Sequence, residues 1–215
     1  DVYKRQSITL AELLDFYDGK GTLPDKPVMI TFDDGNETLL EYALPLLEKY
    51  GFTAIGFVIG SSTDTYTKQD DHNLNYSNLN WPEVRQLCEG GVIDIQSHTY
   101  DLHKNTSSRS GAAKKKSESE EEYAEFLSAD AAKMKEAMLK NAGKEPCAVA
   151  YPFGSFSKCT ARIMKDCGMR AAFTCEERVN AIKKSEPEKL FGLGRYNRPN
   201  GISSESFFKK MGIVS

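Results

Sequence analysis

The stretch PVMITFDDGNETLL, residues 27–40, decides how this chain reads. Val28 to Phe32 is an apolar, β-rich run of strand length, and it ends on two adjacent carboxylates, Asp33 and Asp34, followed by Gly35. Side chains alternate along a strand, so neighbouring aspartates inside one would face opposite sides. Only where the backbone turns at the strand's end do both reach one site, and Gly35 permits that turn. Two close carboxylates repel and would share one proton unless a cation stands near. A strand ending in this way implies a bound metal ion.

Outward from that stretch, strands and helices alternate. After an amphipathic N-terminal segment, LAELLDFYDG, and a turn through Pro24, strand one is expected over Val28–Phe32. Apolar residues at helical spacing from Leu39 to Tyr50 predict a helix kinked at Pro45 and stopped by Gly51. FTAIGFVIG reads as a buried strand, the polar residues 61–77 as a long loop, and NWPEVRQLCEGG as a short helix capped by Asn80. VIDIQS is strand three, and residues 104–117 form a second loop. The strongest helix follows, with Ser117 and Glu120 expected as its capping box and a stripe of Tyr123, Phe126, Leu127, Met134 and Met138. CAVAYPFG, MRAAFTC and LFGLGRYNR are expected as strands four to six, SKCTARIMKDCG and SSESFFKKMG as helices. This alternation predicts one α/β domain with a largely parallel sheet, open or barrel-like. Residues 1–23 are expected as a segment packing on or leading into a domain of residues 24–215.

Bulk properties narrow the function classes. The chain has 215 residues, 40% hydrophobic and 27% charged, enough for a sizeable core. With 28 basic against 31 acidic residues its formal charge is −3, so no basic field invites nucleic acid. No apolar run approaches the roughly 18 to 20 residues of a membrane span. The first residue is Asp1, which reads as the cut edge of a longer product, ahead of which a signal or anchor could have stood. Five cysteines without CxxC spacing argue against a zinc knuckle or redox pair and are expected as small buried residues; Cys159 and Cys167 stand too far apart on one helix to pair. The KKK at 114–116 and EEE at 120–122 read as a solvated face complementing a helix dipole. Trp81 reads as a packing anchor rather than a sugar platform.

There are three histidines, His72, His98 and His103, and the last two lie in SHTYDLH directly after strand three. A spacing of five fits neither a helix face nor strand alternation, but a loop brings both imidazoles round one ion. In a parallel sheet this loop and the Asp33–Asp34 turn lie beyond carboxyl ends of strands, where α/β folds place active sites. Two nitrogens and one carboxylate then serve a zinc-like divalent ion with open positions, and a second carboxylate is left over.

TFDDG, then SHT and His103 after the third strand, then YPFG after the fourth, resemble the polysaccharide deacetylase family, the NodB-homology carbohydrate esterases, from about residue 24 to the C-terminus. The resemblance implies a distorted (β/α) barrel and metal-dependent hydrolysis of N-acetyl groups on amino-sugar polymers. It implies Asp33 as general base, and Asp34, His98 and His103 as ligands of one divalent ion, zinc first, with cobalt, nickel or manganese as other candidates. It implies Phe153 as the oxyanion donor through its backbone N–H, and Tyr151, Pro152 and Phe153 as an apolar wall for an N-acetylated glycan. An extracellular or envelope location follows from the same resemblance.

Three features depart from the family's commoner pattern. The histidine spacing is five rather than four, Ala150 stands where many members carry arginine, and no histidine follows His103 to supply the late catalytic acid. GRYNRP occupies that region, so Arg195 is expected to line the groove and stabilise charge without donating a proton. Two other readings compete: a glycan-binding pseudoenzyme, and a hydrolase of O-acetyl esters or other non-peptide amides.

Overall fold

The structure, a computed structural model, describes residues 5–213. Residues 1–4 and 214–215, the outer ends of the two expected segments, lie outside the described residues. Seven strands and seven α-helices follow in chain order: β1 (Gln6–Ser7), α1 (Leu10–Tyr17), β2 (Pro27–Val28), β3 (Ile30–Phe32), α2 (Leu44–Tyr50), β4 (Ala54–Val58), α3 (Gly60–Gln69), α4 (Trp81–Gly90), β5 (Ile93–Ser97), α5 (Glu120–Ala142), β6 (Ala148–Ala150), α6 (Thr160–Asp166), β7 (Ala171–Phe173) and α7 (Ser204–Lys210).

Strands β3 to β7 form one sheet in chain order, every neighbour parallel. Order that never reverses lets the sheet curl one way, and it forms the half-barrel expected of the α/β class. Both faces are covered, which is why β4 is buried at all five positions and reads as a continuous apolar run. Alternation still divides it. Ala54 and Val58 pack with Trp81, Val84, Ile95 and Met134 on the helix side, whereas Ile55 and Phe57 pack with Leu10, Leu13, Ala150 and Phe173 on the other. Leu10, Leu13 and Leu14 of α1 thus belong to the same core as the sheet. Met134 and Met138 are fully buried; truncating either to alanine would cost about 2–5 kcal/mol.

Several expected elements are corrected. The run Val28–Phe32 is split between two sheets, because Val28 pairs with Ser7 of β1 and its carbonyl takes the Ile8 N–H, while Ile30–Phe32 pairs with β4. Residues 61–77 are not all loop. Helix α3 spans Gly60–Gln69 without an apolar stripe, held by Thr65 and Thr67 hydroxyls donating to the carbonyls of Ser61 and Thr63 and by Asp64 accepting the Trp81 indole N–H at 2.6 Å. The same bond makes Trp81, 4% exposed, a packing anchor. The break anticipated at Pro45 is a π-helical turn over Leu39–Ala43, in which the Leu44 N–H reaches back to Leu39. The α5 capping box is Ser119 with Glu122, two residues later than expected, because Glu118 is already engaged by Arg109 and the Lys115 N–H. Phe126 leaves the buried stripe and lies under the Arg109 guanidinium, 3.8 Å from ring centroid to carbon. The sixth strand reduces to one parallel bridge, Phe173 to Leu193, after a 3-10 segment at Pro187–Gly192. The cysteines are free, four partly buried and Cys175 exposed, since they stand at element ends where packing is incomplete; Cys159 and Cys167 flank α6.

Candidate active site

The parallel sheet carries its chemistry on one edge. Asp33 and Asp34 follow β3, His98 follows β5, Tyr151–Phe153 follow β6 and Thr174 follows β7. Three of the four described non-glycine residues with left-handed φ lie on these loops: Asp34 at +70°, Thr99 at +70° and Phe153 at +59°. For a β-branched threonine and a phenylalanine this is a strained conformation that the surrounding fold must enforce. Gly35, at φ +67°, must be glycine for a second reason, since a Cβ there would stand 2.8 Å from Val58 Cγ1.

The two adjacent aspartates part company. Asp34 turns to the histidines, its Oδ1 3.3 Å from His98 Nε2 and 3.2 Å from His103 Nε2. That oxygen is buried and has no hydrogen-bond partner. The orphaned oxygen and two imidazole nitrogens fit a divalent ion, because ligand atoms about 3.3 Å apart suit a tetrahedral ion with bonds of about 2.0–2.1 Å. The imidazole of His98 beside it, and the charges of His98, His103 and Arg195, hold the Asp34 carboxyl below its ordinary value against the opposing effect of burial. His98 is 2% exposed, and its Nδ1 stands 2.8 Å from the Ala150 carbonyl. A carbonyl only accepts, so Nδ1 carries the proton and Nε2 presents its lone pair to the site.

Asp33 turns to Arg195. Arg195 Nη1 donates to Asp33 Oδ1 at 2.6 Å and Nη2 to Oδ2 at 2.8 Å. The guanidinium is itself fixed by Nε donating to the Thr174 carbonyl at 3.1 Å and Nη1 to Thr31 Oγ1 at 3.2 Å. Arg195, expected to line the groove, is thus paired through both arms with Asp33.

The apolar wall differs from expectation. Tyr151 is fully buried and Pro152 is buried too, so neither offers a surface to a sugar. Tyr151 packs under Phe156 with ring centroids 5.0 Å apart, and its buried hydroxyl has no partner; burial pushes that phenol far above its ordinary range. The exposed rings are Phe153, 47%, against His103 at 4.5 Å, and Phe156, 45%. Phe156, Thr31, Thr174 and the Ala150 carbonyl were missed from sequence. The GSF run after the turn signalled Phe156, whereas nothing in a sequence marks a carbonyl that orients a histidine.

Residues 20–172 match the family model described as polysaccharide deacetylase. A poly-beta-1,6-N-acetyl-D-glucosamine N-deacetylase of Staphylococcus aureus is 31% identical over 172 residues, covering 80% of this chain and 55% of the relative. The protein of that name from Staphylococcus epidermidis is 34% identical over the same coverage. The chain thus spans about half the length of the curated relatives it matches. Among solved structures, a de-N-acetylase from Aggregatibacter actinomycetemcomitans superposes with a TM-score of 0.79 at 24% identity, covering 97% of this chain and 83% of that one. IcaB from Ammonifex degensii gives 0.75 at 24% identity, with 97% and 82% covered. Both likenesses are of fold. With most of its length matched by the family model, the chain belongs to the polysaccharide deacetylase family.

Proposed function

We propose that this chain is a metal-dependent N-deacetylase acting on a β-1,6-linked poly-N-acetylglucosamine outside the cell or at its envelope. The observation that carries the reading is the division between adjacent aspartates, Asp34 facing two imidazoles and Asp33 facing a guanidinium. The substrate class is taken from the curated relatives. Asp34, His98 and His103 would hold one divalent ion, with zinc favoured by two nitrogens and one carboxylate. That ion, when bound, supplies Lewis acidity to polarise the acetamide carbonyl and acidify water.

Asp33 is then the base, the position and plane of its carboxylate fixed by Arg195. It takes one proton as the water oxygen bonds to the acetyl carbon. The Phe153 N–H serves as a donor to the oxygen that gains charge. When the carbon–nitrogen bond breaks, the amine needs a proton, and no histidine follows His103 to give it. Protonated Asp33 returns it, so the carboxylate is regenerated and the amine leaves with acetic acid, whose own proton passes to the amine or to solvent, one group serving both steps as in retaining glycosidases. Phe153 and Phe156 offer the rings on which a sugar face rests.

The test is acetate release by the zinc-loaded chain from β-1,6-linked N-acetylglucosamine oligomers, with β-1,4-linked oligomers and an O-acetylated glycan alongside. Preferential release from the β-1,6 oligomer, abolished in Asp33→Asn, is the expected result. Binding without any acetate release, with zinc, cobalt, nickel or manganese supplied, would favour the pseudoenzyme instead.

A further inference from the structure

A second group of ligand-type side chains stands apart from the Asp34 site. Glu37, three residues beyond Asp34, is 6% exposed at its side chain; its Oε1 lies 2.5 Å from His72 Nδ1, and its Oε2 is buried with no hydrogen-bond partner. Glu83, on α4, is 15% exposed at its side chain. Its Oε2 accepts the Asn80 N–H at 2.8 Å, and its Oε1 is left facing His72 Nδ1 at 3.5 Å. The ligand atoms of all three residues lie within 4.8 Å of one another. Among the described residues, His72 is the only cationic side chain within ion-pair reach of either glutamate. A proton on Nδ1 answers one carboxylate and leaves the partly buried Glu83 Oε1 and the orphaned Glu37 Oε2 unanswered. A divalent ion answers both, and burying such oxygens without a partner is costly.

The other face of the imidazole strengthens the assignment. His72 Nε2 stands 3.3 Å from Asp70 Oδ1, so the Nε2 proton has an acceptor and Nδ1 can offer its lone pair to an ion held between the two glutamates. A carboxylate behind a histidine is the arrangement that orients metal-bound imidazoles. Asp70 reaches this place from a left-handed φ of +51° at the end of α3. We propose that Glu37, His72 and Glu83 form a second divalent-cation site, with Asp70 as the orienting residue, distinct from the Asp34–His98–His103 group. One imidazole nitrogen and two carboxylates suit zinc or a neighbouring first-row ion.

Its consequence is positional. The Asp34–Glu37 turn is already laced to residues 77–79: the Glu37 N–H donates to the Ser77 carbonyl at 2.9 Å, the Leu79 N–H to the Gly35 carbonyl at 2.8 Å, and Asn78 Nδ2 to the Asp34 carbonyl. An ion at Glu37, His72 and Glu83 fastens the same turn to both the 70–72 segment and α4. Occupancy therefore stiffens the backbone that carries Asp33 and Asp34 without touching substrate.

The site is separable by its metal count. An Asp34→Asn, His98→Ala, His103→Ala variant, stripped with chelator and titrated with zinc in a calorimeter, should still bind one equivalent and gain thermal stability. Adding His72→Asn, at a half-exposed position that threatens folding little, should remove both. Asp70→Asn in the same background should weaken zinc about 10- to 100-fold. The proposal is overturned if the folded triple variant binds no zinc, or if its one equivalent survives His72→Asn together with Glu83→Gln. None of these readouts depends on deacetylation, so failure here leaves the catalytic reading intact.

Discussion

Arg195 grips Asp33 with both arms of its guanidinium, Nη1 at 2.6 Å from Oδ1 and Nη2 at 2.8 Å from Oδ2, across 162 positions of sequence. A planar fork fixes both the position and the plane of a carboxylate, which a lysine's point charge does not. Arg195→Ala should therefore lower kcat by about 10²-fold, the scale of an ångström's misplacement of a reacting group. Arg195→Lys should fall between that variant and wild type. KM should change far less than kcat in both; a loss confined to KM would assign Arg195 to sugar binding instead.

Asp33 and Asp34 are adjacent, and their variants should behave in opposite ways. Asp33→Asn keeps the Asp34, His98 and His103 donors and should retain bound zinc while losing turnover by at least about 10²-fold. Asp34→Asn should lose the metal first and activity as a consequence, with partial recovery at high zinc. Metal analysis beside steady-state rates distinguishes the two, and equal metal loss in both would break the assignment of base and ligand.

His98 is the better anchored of the two imidazoles, because the Ala150 carbonyl holds its Nδ1 at 2.8 Å and its ring is 2% exposed, while the His103 side chain is 28% exposed. Preorganised ligands cost less entropy to bind with. His98→Ala should consequently weaken zinc more than His103→Ala, read by competition with a chromophoric chelator. The reverse order would mean that the Ala150 contact does not prepare His98 for the ion.

The legibility of the chain followed the range of the interactions involved. Asp33, Asp34 and Gly35 were readable because a strand end, a paired charge and a glycine are local signals, and His98 and His103 because they trail a strand. Helix α3 was hidden because its stability lies in contacts such as Asp64 to Trp81, 17 positions apart, and not in a periodic stripe. Tyr151 looked like a groove residue because a sequence shows its type and not its direction; the turn at Phe153, φ +59°, sends one ring out and leaves the other in the core. Arg195 was singled out only as a groove residue, by the want of a late histidine, and its pairing with Asp33 needed the folded chain.

Asp34 also gives the metal-free protein a defined pH dependence. His98 beside it is the main cause of its lowered pKa, with the charges of His98, His103 and Arg195 acting in the same direction and burial opposing them. A carboxylate whose folded pKa lies below its unfolded value stabilises the fold above the unfolded pKa, near about 3.9 for aspartate, and that contribution is lost as pH falls through the folded value. Asp34→Asn removes the titrating group, and asparagine tolerates the left-handed φ of +70° at this position, so backbone strain does not confuse the comparison. In the presence of chelator, wild type should therefore unfold at higher urea than Asp34→Asn at neutral and mildly acid pH. The gap should close as pH is lowered below about 3.9. With zinc supplied at neutral pH the gap should widen, because ligand binding to the folded state adds to its stability by mass action. A gap that persists unchanged into acid would mean that Asp34 stabilises the fold by packing and not by its charge among the imidazoles.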